Sequence, residues 1–214
     1  MDYISERRLE EKDRRRAGIL DAAEKVAARD GIDGITMDHV AREARISRAL
    51  LYVYFKDRDD LCLGIGERGL ELLKTRFTAE AASHSTGLAQ VQAIGRAYVA
   101  FAREFPVYFD ALSQFHASVP EAGELDGNIA SCLQAGDAVH GVLLQSLHAG
   151  MQDGSIGRDA GDPAAIAMTL WGFMHGIIQI SLTKELVLNQ YGLGGDALVN
   201  QALHLATRSL EPRR

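Results

Sequence analysis

Cysteine is nearly absent from this 214-residue chain: Cys62 and Cys132 are its only two. That excludes a secreted scaffold stapled by several disulfides, and a reduced, intracellular chain is the expectation. Proline is scarce as well, confined to Pro106, Pro120, Pro163 and Pro212. The first three sit where a helix can begin, the place where proline is tolerated. No stretch sustains the alternation of apolar and polar residues that marks half-buried strands, whereas alanine occurs 30 times. Both features predict an all-α chain. Catalytic signatures are also missing. There is no His-Glu-x-x-His, no phosphate-binding loop and no Gly-x-Ser-x-Gly elbow. The expectation is a protein that is not an enzyme, with no metal and no cofactor. The first sixteen residues are charged throughout and hold no apolar stretch, so no signal peptide is predicted.

Hydrophobic residues make up 47% of the chain and charged residues 24%. These proportions suit a globular protein with a core of its own and exclude global disorder. The net charge is -6, which argues against indiscriminate binding to nucleic acid. The average conceals a bias. The first sixty residues hold 13 of the 23 basic side chains and 14 of the 29 acidic ones. An acidic protein that binds an acidic polymer must do so locally, by arrangement.

The stretch Pro163–Thr183 contains 21 residues without a formal charge, enough to cross a bilayer. It also carries Thr169, His175, Gln179 and Ser181, and its N-terminal flank lacks positive anchors. A core or interface helix is the expectation, not a membrane span.

The first helix is predicted over about 11–29, where Ile19, Leu20, Ala23, Val26 and Ala27 form one apolar stripe. Gly31 ends it. Thr36 is placed to cap a short second helix ending near Ala44, Ser47 a third through about Tyr54, and Asp57 a fourth reaching about Ala82. Further helices are predicted over about 88–104, 106–116, 125–151, 163–189 and 196–209. Gly64-x-Gly66-x-x-Gly69 has the spacing of a dinucleotide-binding turn, but it lies inside a predicted helix with no strand before it. It reads as chance glycines. His140 and His148 are eight apart, with Cys132 eight before, too far along one helix to share a zinc ion, so a packed or surface role is expected.

The informative stretch is TMDHVAREARISRALLYVYFKDRDDL, from Thr36 to Leu61. Two short helices are joined by about three residues. Val40, Ala41 and Ala44 form the inner face of the first, and Ile46, Leu51 and Phe55 that of the second. Small Ala41 and Ala44 allow a close crossing. This is a helix-turn-helix arrangement, in which the first helix braces the second against the DNA major groove.

The segment resembles the TetR family of bacterial transcription regulators. Thr36, Val40-Ala41, Ala44, Ser47, Leu51-Tyr52-Val53-Tyr54-Phe55 and Leu61 fall in step with that family's motif, and so does the preceding ILDAAEKVAARDGIDGIT. The likeness is strong over about fifty residues. There are departures. Arg45 replaces the turn glycine, Ala49-Leu50 the usual Gly-Thr, Val53 a common histidine and Arg58 the tail lysine. A side chain at 45 bears the cost of a left-handed backbone if that geometry is kept. Ala49, Leu50 and Val53 offer few hydrogen bonds and suit thymine methyl groups better.

The resemblance implies an N-terminal three-helix DNA-binding domain, residues 1–60, with a basic arm formed by Arg7, Arg8, Lys12 and Arg14-Arg15-Arg16. A larger helical ligand-binding and dimerisation domain follows, residues 61–214. It implies a cytoplasmic repressor that binds a double-stranded palindromic operator as a homodimer and is released by a small, largely apolar effector. Candidate DNA contacts are Thr36, Arg45, Ser47, Arg48, Ala49, Tyr52, Lys56 and Arg58. Candidate effector contacts are Phe101, Phe105, Tyr108, Phe109, Phe115, His116, Trp171 and His175, with Tyr98 a further ring in that region. Candidate dimer contacts are Trp171, Gly172, Met174, Gly176 and Ile178, where the two glycines, four apart, admit a close partner helix. Two other readings stay open at this point: a binding protein with a non-functional helix-turn-helix, and a helical enzyme.

Overall fold

The computed structural model describes residues 3–114 and 127–212. The described residues form ten α-helices and no strand: α1 Tyr3–Asp30, α2 Met37–Glu43, α3 Arg48–Tyr54, α4 Arg58–Ala82, α5 Gly87–Glu104, α6 Pro106–Ser113, α7 Gly127–Asp153, α8 Pro163–Thr183, α9 Glu185–Gln190 and α10 Gly195–Leu210. They make two compact units, one of Met1–Gly69 with Phe105–Gln134, the other of Leu70–Glu104 with Ala135–Arg214. The division falls inside α4 and α7.

The core of the first unit follows from the apolar stripes. Ile19, Leu20, Ala23, Val26 and Ala27 of α1 are buried against Val40, Ala41, Leu51, Phe55, Leu61 and Ile65, with Ala44 and Ile46 partly buried beside them. Side chains cap the helices where expected. Thr36 Oγ1 accepts from the His39 amide at 3.2 Å, Ser47 Oγ from the Leu50 amide at 3.1 Å, and Asp57 Oδ1 from the Asp60 amide at 2.8 Å. Each bond satisfies one of the donors that a helix start leaves unpaired.

Gly64 and Gly69 serve packing. A Cβ at 64 would come within 2.9 Å of Leu20 Cδ2 and 3.2 Å of the Phe55 ring, and one at 69 within 2.9 Å of Tyr108 Cβ. The Gly-x-Gly-x-x-Gly spacing therefore reflects close helix crossings on the mid-section of α4.

In the second unit α8 lies along α10, and both pack on α5. The start of α5 is tied to the end of α7. The Gly87 amide donates to Asp153 Oδ2 at 2.8 Å and the Leu88 amide to Ser155 Oγ at 3.1 Å. A Cβ at 87 would fall 2.0 Å from the Gly150 nitrogen, so this approach requires glycine.

Two expectations are corrected. The predicted helix over 163–189 is two helices, broken at Lys184 (φ -120°, ψ 36°). Just before the break the Ser181 and Thr183 hydroxyls donate back to the carbonyls of Ile178 and Gln179 at 2.7 and 2.8 Å. Such bonds compete with the backbone ladder and bend helices. The predicted basic arm is not separate from α1, which is continuous from Tyr3. Arg14 and Arg15 both pair with Glu11, and spaced three and four apart such pairs support a helix. Arg16 reaches Glu67 at 3.1 Å and covers the Phe55 ring at 5.3 Å from its centroid, which anchors the helix to the unit.

Candidate nucleic-acid interface and effector site

Residue 45 is where the motif departs most from its pattern, and the backbone there keeps the geometry of the pattern. Arg45 has φ +55°, the single positive φ outside glycine among the described residues. The Arg45 amide donates to the Arg42 carbonyl at 3.1 Å and the Ile46 amide to the Ala41 carbonyl at 3.0 Å. This is the Schellman ending of a helix, with arginine at the left-handed position that glycine usually fills. Its side chain is exposed.

Helix α3 divides into two faces. Leu51 and the capping residue Phe55 are fully buried. Arg48, Ala49, Tyr52 and Val53 point outward, with Tyr52 44% and Val53 69% exposed. Residues 48 and 52, and 49 and 53, are each one turn apart, so the four make a continuous outer strip. Arg48 Nη2 donates to Tyr52 Oη at 3.3 Å and its guanidinium lies 5.7 Å from the Tyr52 ring centroid. Arg48 also pairs with Asp38 at 3.2 Å, an acidic neighbour at the start of α2 that sequence reasoning did not single out.

The other candidate DNA contacts separate by environment. Thr36 and Ser47 are engaged as caps, and both residues are exposed at helix starts on this side. Lys56 is exposed, while its amide donates to Asp60 Oδ2 at 2.8 Å. Arg58 is turned inward: Nε donates to the Ile35 carbonyl at 3.2 Å and Nη2 to the Ile32 carbonyl at 2.9 Å. It thus clamps the turn between α1 and α2.

The candidate effector residues are divided between the two units. Phe105, Tyr108 and Phe109 belong to the first unit, where Phe105 and Tyr108 stack at 6.0 Å and Phe109 is buried. Phe115 and His116 lie outside the described residues. Phe101, Trp171 and His175 belong to the second unit, and Phe101 is fully buried.

Around Trp171 and His175 the second unit assembles a wider cluster. Tyr98 Oη and His175 Nδ1 are 2.6 Å apart. Trp171 lies 5.9 Å from His175 and 5.3 Å from His140, and Phe77 meets Tyr98 edge-on at 6.1 Å. Burial raises the Tyr98 pKa and lowers that of His175. Both groups are thereby held neutral, because a low-polarity surrounding penalises their charged forms. His140 joins this cluster through tertiary packing, which its spacing from His148 does not reveal.

The proposed dimer residues also separate. Gly172 is exposed and Gly176 half-buried, and a Cβ added at either meets nothing within 4 Å. Trp171 is 41% exposed. Met174 and Ile178 are only 5% and 1% exposed. They face the interior of their own unit, so the outward apolar side chains of α8 are Met168, Trp171, Phe173, Ile180 and Leu182. By length and mean hydropathy, 1.4, α8 meets the criterion of a membrane span, and 17% of its apolar window is buried.

Comparison with known proteins agrees with this architecture. Residues 19–65 match the profile of bacterial regulatory proteins of the tetR family, and residues 91–205, more than half the chain, match that of the tetracyclin repressor-like C-terminal domain. An HTH-type transcriptional regulator of Staphylococcus aureus is 36% identical over 62 residues. The match covers 29% of this chain and about a third (34%) of that relative. Among solved structures, a protein of unknown function from Rhodococcus sp. RHA1 superposes with a TM-score of 0.73 at 25% identity, covering 92% of this chain and 95% of that one. The transcriptional regulator FadR from Bacillus subtilis, in complex with stearoyl-CoA, gives a TM-score of 0.67 at 16% identity over 91% and 99%. RolR in complex with resorcinol gives 0.69 at 15% identity over 95% and 91%.

Proposed function

We propose, since the chain belongs to the TetR family of bacterial regulatory proteins, that it is a cytoplasmic, ligand-responsive repressor. It binds a palindromic duplex operator as a homodimer and is released by a small, largely apolar molecule. The observation that carries this reading is the two-faced α3. Leu51 and Phe55 fix it to the core and leave Arg48, Ala49, Tyr52 and Val53 outward as one strip.

The strip supports specific chemistry in a major groove. Arg48 provides the bidentate fork that suits guanine, Tyr52 a hydroxyl for phosphate or a base edge, and Ala49 and Val53 apolar surface for thymine methyl groups. Thr36, Ser47, Lys56 and Arg45 surround it and supply contacts to phosphate, which fix register without reading sequence. Arg58, held by two carbonyls, positions the turn and is not a contact in this reading. Asp38 holds Arg48 in the absence of DNA and gives it up when a base offers better acceptors.

Two half-sites need a twofold protein. The outward apolar side chains of α8, with Leu205 of α10, supply a surface that a second copy would cover. Gly172 and Gly176 leave room for its helix. FadR with stearoyl-CoA and RolR with resorcinol support a small-molecule effector here as well. The effector acts through its different affinity for two arrangements of the dimer, one matched to operator spacing and one not.

The test removes the strip's polar side chains. With Arg48→Ala and Tyr52→Ala together, affinity for the operator is expected to fall at least about 30-fold, from two contacts of ~1–3 kcal/mol each. Dimer and fold should be unchanged, because both residues are exposed. Unaltered affinity would remove α3 from DNA recognition.

A further inference from the structure

The cluster around Trp171 contains one polar atom that its neighbours leave unsatisfied. His140 Nδ1 lies 2.9 Å from the Gly136 carbonyl. A carbonyl only accepts, so Nδ1 carries the hydrogen, and in the neutral ring Nε2 is a bare acceptor. That atom is buried and has no hydrogen-bond partner among the described residues. Buried acceptors are nearly always paired, so the exception calls for an occupant that donates.

The surroundings narrow what the occupant is. The His140 ring meets Trp171 edge-on at 83°, and Trp171 tilts over His175 at 48°. The Tyr98 hydroxyl is engaged with His175 at 2.6 Å. Aromatic walls favour a flat, apolar body that can stack or meet an edge. Burial holds Tyr98 and His175 neutral, and the same environment penalises a charged guest.

We infer that His140, Trp171, His175 and Tyr98 form the polar end of the effector site. It takes an uncharged aromatic molecule bearing a hydroxyl, which donates to His140 Nε2. This rests on the reading of the second unit as the effector domain. It adds the functional group that the effector must carry and the atom that reads it.

The experiment uses phenol and its methyl ether, anisole, as probes on the intact protein. They have similar shape, and only phenol can donate. Trp171 is the chain's single tryptophan, so its fluorescence, excited at the red edge of the indole band, reports occupancy directly. Phenol is expected to bind saturably, at least about tenfold more tightly than anisole, because a site built around a hydrogen bond rejects the analogue that lacks it. In His140→Phe the preference should collapse to within about twofold. In His140→Gln, which restores an acceptor, it should persist. Circular dichroism and melting of both variants verify the fold, and the glutamine variant retains the test if the phenylalanine variant unfolds.

Equal binding of the two probes, binding of neither, or a preference that survives in His140→Phe would overturn the assignment. A parallel arm measures operator release. Phenol that binds with the expected preference yet leaves the DNA complex intact establishes the site while contradicting its role as the effector switch.

Discussion

Asn128 Nδ2 donates to Asp60 Oδ1 at 2.6 Å, and the other oxygen of that carboxylate accepts from the Lys56 amide at 2.8 Å. Asp60, 8% exposed, thereby ties the residue that leaves α3 to the first turn of α7. Charge-assisted bonds of this kind are stronger than neutral ones. Asp60→Ala strands two donors that are part-buried. The free energy of unfolding should fall by about 2–6 kcal/mol, at ~1–3 for each unsatisfied group. Asp60→Asn, which keeps one acceptor, should lose about half as much. Urea unfolding followed by circular dichroism measures both. A loss below ~0.5 kcal/mol for the alanine variant would show that the link contributes nothing.

Arg45 carries backbone strain that glycine would relieve. Arg45→Gly should raise stability by about 1 kcal/mol, the cost of a left-handed conformation for a residue with a Cβ. Operator affinity should fall at the same time, because a cation beside the phosphates is lost. Melting temperature and DNA affinity are thus expected to move in opposite directions. A glycine variant that melts lower would contradict the strain.

Gly172 is open to solvent within its own chain, so a large side chain there leaves the protomer undisturbed. Gly172→Arg should keep the helical content and abolish the proposed dimer, leaving a monomer in sedimentation equilibrium, since an unpaired charge would be buried against the partner. A dimer that survives this substitution would place the interface elsewhere.

The depressed pKa of His175 has a definite sign in stability. The unfolded chain takes up this proton near the ordinary value of 6.5, before the folded protein does. Above that pH His175 contributes no pH dependence. As pH falls below it, stability declines, by up to about 1.4 kcal/mol per pH unit, until the folded protein is protonated too. His175→Gln should shrink the difference between urea midpoints at about pH 7.5 and about pH 5.5. An unchanged difference would assign the acid sensitivity to other groups.

How much of this was legible in the sequence depends on the range of the interaction involved. The caps at Thr36, Ser47 and Asp57 are local, set by one side chain and an amide three residues on, and all three stand where residue type placed them. The stripe from Ile19 to Ala27 is equally readable, because polar residues on the opposite face of α1 fix its direction. On α8 the same reasoning has nothing to grip. The helix has no charged face and carries apolar side chains all round, so the pattern cannot say that Met174 and Ile178 face inward while Met168 and Phe173 face out. The break at Lys184 was hidden too, since no glycine or proline marks it.

The tertiary parts of the candidate sites were the least legible. His140 sits an uninformative distance from His148, and only packing brings it to Trp171. Arg58 matched a family position for a cation, yet its guanidinium is taken by the carbonyls of Ile32 and Ile35. Asp38 attracts no attention in the sequence and matters only because α2 places it beside Arg48.

The most direct test of the central claim is selection of bound duplexes from a random pool by the purified protein at fixed, moderate salt, after small molecules have been stripped by refolding. Salt must be stated because phosphate contacts make affinity depend on it steeply. The account predicts recovery of a palindrome with half-sites about one or two helical turns apart. A folded, ligand-free dimer that enriches no sequence would contradict it.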